Sequence, residues 1–194
     1  MDLGYILSLT IGAMIVNNIV LVQFLGICPF LGVSKRTETA MGMGAAVMFV
    51  MILATLVTSL VNGLVLVNLK LEFLQTMVFI LIIAGLVQLV EIILKKTSPG
   101  LYQALGVYLP LITTNCTILG VAILVARKNM ELGPSLIYAL FTSLGFMIAL
   151  LVFAGLRERL EFSRIPKSLQ GAPISLIMAG LLALAFMGFS GLNV

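Results

Sequence analysis

Six apolar stretches, each long enough to cross a bilayer, follow one another through this chain with only short polar punctuation between them. A hydrocarbon core about 30 Å thick takes about 20 helical residues per crossing. Residues 5–33, 40–67, 73–94, 101–126, 134–156 and 173–192 each supply that length. Inside lipid every backbone polar group must be satisfied within the protein, so such segments fold as helices. The chain is 61% hydrophobic and 9% charged, with a mean hydropathy of +1.24, which leaves too few polar groups to cover a water-exposed surface. The predicted fold is an all-α membrane protein of one integral domain, residues 1–194, with six transmembrane helices. The first apolar run has neither a basic start nor a small-residue cleavage site, so it is expected to stay as a span.

The short loops make the distribution of Lys and Arg a guide to topology. Lys35, Arg36, Lys95, Lys96, Arg157, Arg159, Arg164 and Lys167 fall on one face; Lys70, Arg127 and Lys128 fall on the other. The excess marks the cytoplasmic face, which puts both termini outside the cytoplasm. The same reading accounts for the net charge of +4, so no nucleic-acid partner is expected and the lipid bilayer is the surrounding partner.

An internal repeat shapes the expected architecture. The two cysteines open the same phrase, Cys28-Pro29-Phe30-Leu31-Gly32-Val33 and Cys116-Thr117-Ile118-Leu119-Gly120-Val121. A second match sets Leu81-Ile82-Ile83-Ala84-Gly85-Leu86 against Leu176-Ile177-Met178-Ala179-Gly180-Leu181. The offsets are 88 and 95 residues, which pairs span one with span four and span three with span six. A repeat of three crossings must insert upside down the second time. The predicted architecture is therefore two inverted three-helix repeats, about residues 1–96 and 97–194, with function near the midplane where the repeats meet.

Spans one and four carry helix-breaking residues: Asn17, Asn18, Gly26 and Pro29 in the first, Pro110, Thr113, Thr114 and Asn115 in the fourth. Irregular backbone at membrane depth is tolerated only where protein or a water-filled cavity surrounds it, so both helices are expected to break near the midplane and face inward. Cys28 lies seven residues before Lys35 and Cys116 eleven before Arg127, about 10 and 16 Å along a helix. Entering from opposite faces, the two thiols can meet.

Buried cysteine is often a small hydrophobe, and a Cys28–Cys116 disulfide is a further alternative. Two thiols at equivalent places of a repeat also fit a metal site. The chain has no histidine, and no Asp or Glu stands near either cysteine. A closed zinc site or an iron–sulfur cluster takes four ligands, so one copy supplies half a site and a second chain must supply the rest. Zinc brings no redox chemistry, whereas an iron–sulfur centre at this depth could relay electrons. Elsewhere Glu158 and Glu161 among Arg157 and Arg159 read as a solvated interfacial segment, and Gly42 and Gly44 as close helix packing. A small redox-inactive transporter and a structural scaffold protein both stay open on these residues.

Several stretches carry a family resemblance that runs along nearly the whole chain: residues 17–35 from Asn17-Asn18 through Cys28-Pro29-Phe30 to Ser34-Lys35, Leu109-Pro110-Leu111-Ile112-Thr113-Thr114-Asn115-Cys116, Arg157-Glu158-Arg159, and Ala185-Phe186-Met187-Gly188-Phe189-Ser190-Gly191. In these the chain resembles the A-subunit family of the Rnf complex, the ion-translocating ferredoxin:NAD oxidoreductase of the bacterial inner membrane. It is similar also to the D and E subunits of the sodium-pumping NADH:quinone reductase, the second of these being the alternative assignment. The resemblance implies a partner of opposite orientation, the homologous E-type subunit, with Cys28 and Cys116 as this chain's two ligands to a shared intramembrane [2Fe-2S] cluster. It implies further subunits of B, C, D and G types, with ferredoxin and NAD+ reached only through them, and no catalysis by this chain alone. Asn17, Asn18, Gly26, Pro29, Pro110, Thr113, Thr114 and Asn115 are then candidates for lining the cluster loop or the path of Na+ or H+.

Overall fold

The computed structural model describes residues 10, 12–66, 74–97, 109–163, 166 and 169–188. A π-helical turn, Gly12–Val16, leads into irregular chain and then a short helix, α1, Ile27–Gly32. α2 is Thr37–Val61 and runs on into a second π-helical stretch, Asn62–Leu66. α3 spans Gln75–Thr97, α4 Leu109–Thr113, α5 Cys116–Arg127, α6 Leu132–Glu161 and α7 Ala172–Met187. Among the described residues the architecture is wholly helical.

Among the described residues four stretches are long and apolar enough to cross a membrane: Thr37–Leu64, Gln75–Ile93, Pro110–Arg127 and Leu132–Glu161. They correspond to the second to fifth expected spans. α7 falls in the sixth and is apolar, but its 16 residues reach only about 24 Å. The expected start of the first span, the last residue of the second, the starts of the third and fourth and the end of the sixth, with the basic residues Lys70, Arg164 and Lys167, lie outside the described residues.

Both predicted breaks occur. In the first apolar stretch helix gives way over residues 17–26. Asn18 Oδ1 accepts from the Val20 N–H (3.1 Å), and Phe24 and Gly26 both take positive φ, 56° and 79°, which ends any helical run. α1 starts directly after Gly26; Pro29 falls in its first turn, where a missing N–H costs nothing. In the fourth stretch the Thr114 N–H and hydroxyl both donate to the Pro110 carbonyl, closing α4. Asn115 is extended, and its side chain accepts from the Thr117 N–H (3.0 Å) to cap α5.

α2 and α6 run antiparallel and form the most extensive helix pair, and together they hold the broken segments. Met43, Val47, Met51 and Ala54 of α2 and Ala139, Phe146, Leu150 and Phe153 of α6 are buried in the core around this pair. Gly44 admits Met147, because a Cβ there would lie 2.7 Å from Met147 Cγ, whereas Gly42 faces open space. Thr55 and Thr58 are buried with their hydroxyls donating back into their own helix at 2.8 and 2.7 Å, which satisfies them in an apolar setting. On the periphery α3 and α7 turn large apolar side chains outward, Leu81 at 75% exposure and Leu184 at 65%, the surface that lipid or a neighbouring protein covers.

One reading is corrected by the fold. α6 continues five residues past the expected end of its span, so Arg157 and Glu158 lie on a helix and not in a solvated loop. Arg157 Nη1 donates to the Leu31 carbonyl (2.7 Å) and Ser34 Oγ (2.9 Å). Glu158 Oε1 accepts from the Thr37 N–H (3.0 Å) and hydroxyl (3.2 Å). The carboxylate caps the start of α2 and the guanidinium caps the end of α1, each charge sitting at the helix end that favours it. Phe30 stacks on Phe153, ring centroids 4.2 Å apart, so α1 is fastened to α6 along one side.

Candidate metal centre

The two cysteine segments touch. Gly26, which precedes α1, donates its N–H to Cys116 Sγ at 2.9 Å. Cys116 is the first residue of α5, and Cys28 is the second residue of α1. Both sulfurs thus stand in the first turn of a half-helix that restarts after a break. Gly26 makes the contact possible: a Cβ there would run into Thr117 Oγ1 and lie 2.9 Å from Phe146 Cε2. Its left-handed φ of 79° also suits glycine above other residues. Next to it Leu25 packs on Gly120, where a Cβ would lie 2.7 Å from Leu25 Cδ2.

Cys28 is exposed, Cys116 is half-buried, and both are free thiols, so the disulfide alternative is not realised. Among the described residues no group of three or more His, Cys, Asp or Glu comes together. The donor set of this chain is two thiols, one of them turned outward. That is an incomplete soft-ligand set with an open side.

The other candidates divide. Gly26 and Asn115 join Cys116 at the junction. Asn18 is buried at 2% exposure and holds the first break in place: its Nδ2 donates to the Gly145 carbonyl (2.9 Å) and the Met14 carbonyl (3.3 Å). Pro29 is buried and seats α1. Thr113 is half-buried. Asn17, Pro110 and Thr114 are exposed, and Thr114 spends its hydroxyl on its own turn. Of the eight, then, Gly26 meets the Cys116 thiol and Asn115 caps the helix that Cys116 opens, Asn18 and Pro29 are buried within the broken segments, and the other four are half-buried or exposed.

Three residues that the sequence did not single out complete the site. Thr117 and Phe146 form the surface against Gly26, and Gly145 lets the first break approach α6, since a Cβ there would lie 2.9 Å from the Met14 carbonyl oxygen. Thr117 was open to notice, because it holds the place in the repeated phrase that Pro29 holds in the other copy. Gly145 and Phe146 sit in plain apolar helix and carry no such signal. Two buried polar atoms at the junction, Asn115 Nδ2 and Thr117 Oγ1, find no hydrogen-bond partner among the described residues. Buried polar groups are rarely left so, and a pair of them beside two thiols suits a polar or charged group held there.

Comparison with known proteins assigns the chain to a family. The model of the family described as "Rnf-Nqr subunit, membrane protein" matches residues 6–193. The chain is 57% identical over 188 residues to the A subunit of the Na(+)-translocating ferredoxin:NAD(+) oxidoreductase complex of Acetobacterium woodii, covering 97% of this chain and 98% of that protein. It is 56% identical over 187 residues to the A subunit of the ion-translocating oxidoreductase complex of Syntrophotalea carbinolica, with 96% and 97% covered. Against the protein of the same name from Actinobacillus pleuropneumoniae serotype 5b it is 55% identical over 188 residues, with 97% of each chain covered. With two broken helical stretches that touch at Gly26 and Cys116 inside an apolar helical fold, and with a family match that runs almost end to end, the chain belongs to the Rnf-Nqr family of membrane subunits.

Proposed function

We propose that this chain is the A-type membrane subunit of an Rnf complex, an ion-translocating ferredoxin:NAD+ oxidoreductase, and that Cys28 and Cys116 are two of the four thiolate ligands of a [2Fe-2S] cluster shared with a homologous subunit of opposite orientation. The observation that carries the reading is the Gly26 N–H to Cys116 Sγ bond, which draws two segments 90 residues apart into one site and leaves Cys28 exposed. A [2Fe-2S] cluster takes four protein ligands, and the chain contributes two. The names and near-complete coverage of the relatives support the assembly.

The residues present fit such a group. Two free thiols, an N–H already directed at one sulfur, and unpartnered Asn115 Nδ2 and Thr117 Oγ1 nearby make a polar pocket in an apolar setting. When bound, the cluster supplies one-electron relay between water-facing carriers on other subunits. The chain's own part is to hold that position. Gly26 donates to sulfur and so stabilises the more negative charge state, an effect that raises a cluster's potential. Phe146 behind Gly26 and the Phe30–Phe153 stack keep water away on the α6 side.

In the same reading the fold has six spans in two inverted repeats, with the end that carries Lys35 and Arg157 in the cytoplasm and both termini outside, in the bacterial inner membrane. Restarting half-helices that each place a cysteine in their first turn support the repeat. Electron passage through the shared site then couples to movement of Na+ or H+. The test is co-purification: iron and acid-labile sulfide at about two atoms each per pair of chains are expected when the homologous partner is co-expressed. Iron-free pairs, prepared anaerobically and intact by size, would reject the shared cluster.

A further inference from the structure

The two ends of the helix pair α2 and α6 are matched in the spacing of their helix boundaries but filled differently. α1 ends at Gly32 and α5 at Arg127; α2 opens at Thr37 and α6 at Leu132; each member of a pair lies 95 residues from the other, the same spacing that relates span three to span six. At the first end Arg157 on α6 fills the gap beside α1 by donating to the Leu31 carbonyl and Ser34 Oγ. Counted from the helix ends, and not from the cysteine phrase where the offset is 88, Arg157 takes the place of Asn62, Leu31 that of Ala126 and Ser34 that of Asn129. All three counterparts line a single cavity of about 150 Å³ at the opposite end of α2. Asparagine is too short to do there what the arginine does at the other end, so among the described residues no cationic head group takes that place.

We propose that this cavity is a binding site for one monovalent alkali cation. Its polar lining is made of neutral oxygen donors: Thr58, Ser59, Asn62 and Asn129. Thr58 donates its hydroxyl hydrogen to the Ala54 carbonyl at 2.7 Å, which leaves its oxygen lone pairs to accept. Asn62 Oδ1 accepts from Gln75 Nε2 at 3.1 Å, which fixes the amide and leaves a second lone pair. α5 ends at this cavity, so the negative end of its dipole faces the site. Hard neutral oxygens select alkali and alkaline-earth ions over softer metals, and among the described residues no carboxylate lines the cavity, which disfavours divalent ions. Of the nearby basic residues, Arg127 is exposed and the Lys128 ammonium sits over the Tyr138 ring, 5.5 Å from its centroid; neither lines the cavity. The binding site stands on this geometry alone, while a role as the port through which the complex loads or releases its ion rests on the proposed function.

The test uses the purified complex and titrates thermal stability with NaCl, LiCl and KCl against choline chloride at constant ionic strength. In wild type at least one alkali cation is expected to raise the melting temperature along a saturating curve. Asn62→Arg places a guanidinium where the ion would sit: the melting temperature in choline should rise and the component lost from the cation response should be the saturating one. Thr58→Val keeps the shape, removes one oxygen, and should weaken the apparent affinity roughly tenfold or more. An unchanged alkali response in either variant, or no saturating response in wild type, would overturn the site. The iron–sulfur EPR signal of the same samples separates the two claims, because it should persist in both variants whether or not the cation binds, and its absence from wild type would count against the proposed function alone.

Discussion

Gly26→Ala tests the junction on which the site is built. The residue holds φ at 79°, and a left-handed conformation costs an L-residue about 1–2 kcal/mol. The added methyl would also collide with Thr117 Oγ1 and come within 2.9 Å of Phe146 Cε2. Both neighbours are buried, so they cannot swing clear, and overpacking of this kind costs about 1–3 kcal/mol. Together these give a loss of about 2–5 kcal/mol, or roughly 4–20 °C in melting temperature at 2–4 °C per kcal/mol for a chain of this size. Relief comes most easily by moving residues 24–28 away from α5, which breaks the N–H bond to Cys116 Sγ. The assay pairs thermal unfolding of the complex with the reduction potential of its iron–sulfur centre, which should fall when that N–H is withdrawn. Gly85→Ala is the control, since a Cβ there meets nothing within 4 Å in a regular helix. A Gly26→Ala complex as stable as Gly85→Ala, with an unshifted potential, would refute the crossing of the two segments at this residue.

Further outcomes follow from individual bonds. Arg157→Ala removes the donor to the Leu31 carbonyl and the buried Ser34 hydroxyl, and should cost about 2–4 kcal/mol by thermal unfolding, with Arg157→Lys recovering only part because one ammonium cannot reproduce the planar fork. Asn18→Ala strips the bonds to the Gly145 carbonyl and the Val20 N–H at a buried position and should cost about 2–3 kcal/mol, while Asn17→Ala, one residue away but exposed, should stay within about 0.5 kcal/mol of wild type in the same melt.

What could be read from the sequence depended on whether the signal was local. The breaks at residues 17–26 and 114–115 were legible because Asn, Gly and Thr state their preference for turns within a few residues, whatever the rest of the fold does. The approach of the two cysteine segments, Gly26 N–H on Cys116 Sγ, was legible from the repeated phrase, which marks the two stretches as equivalent without needing a contact. The end of α6 was not. Arg157-Glu158-Arg159 lowers hydropathy and reads as a loop, yet the partners that keep Arg157 and Glu158 helical, Leu31, Ser34 and Thr37, lie more than 120 residues earlier. Thr117 was missed for the opposite reason: a threonine in an apolar helix ordinarily satisfies itself on its own backbone, as Thr55 and Thr58 do, and only the fold shows that this one does not. The outward turn of Cys28 was also out of reach, since α1 has six residues and no periodicity to reveal a face.

The central claim is that Cys28 and Cys116 jointly hold one side of a shared cluster, and low-temperature EPR with iron analysis on the dithionite-reduced complex tests it most directly. Wild type should show a [2Fe-2S] signal that Cys28→Ser and Cys116→Ser each abolish or alter, with iron lost from that one centre and the complex still assembled. An unaltered signal and unaltered iron content in both variants would contradict the account and leave the paired thiols as packing within a redox-inactive membrane protein.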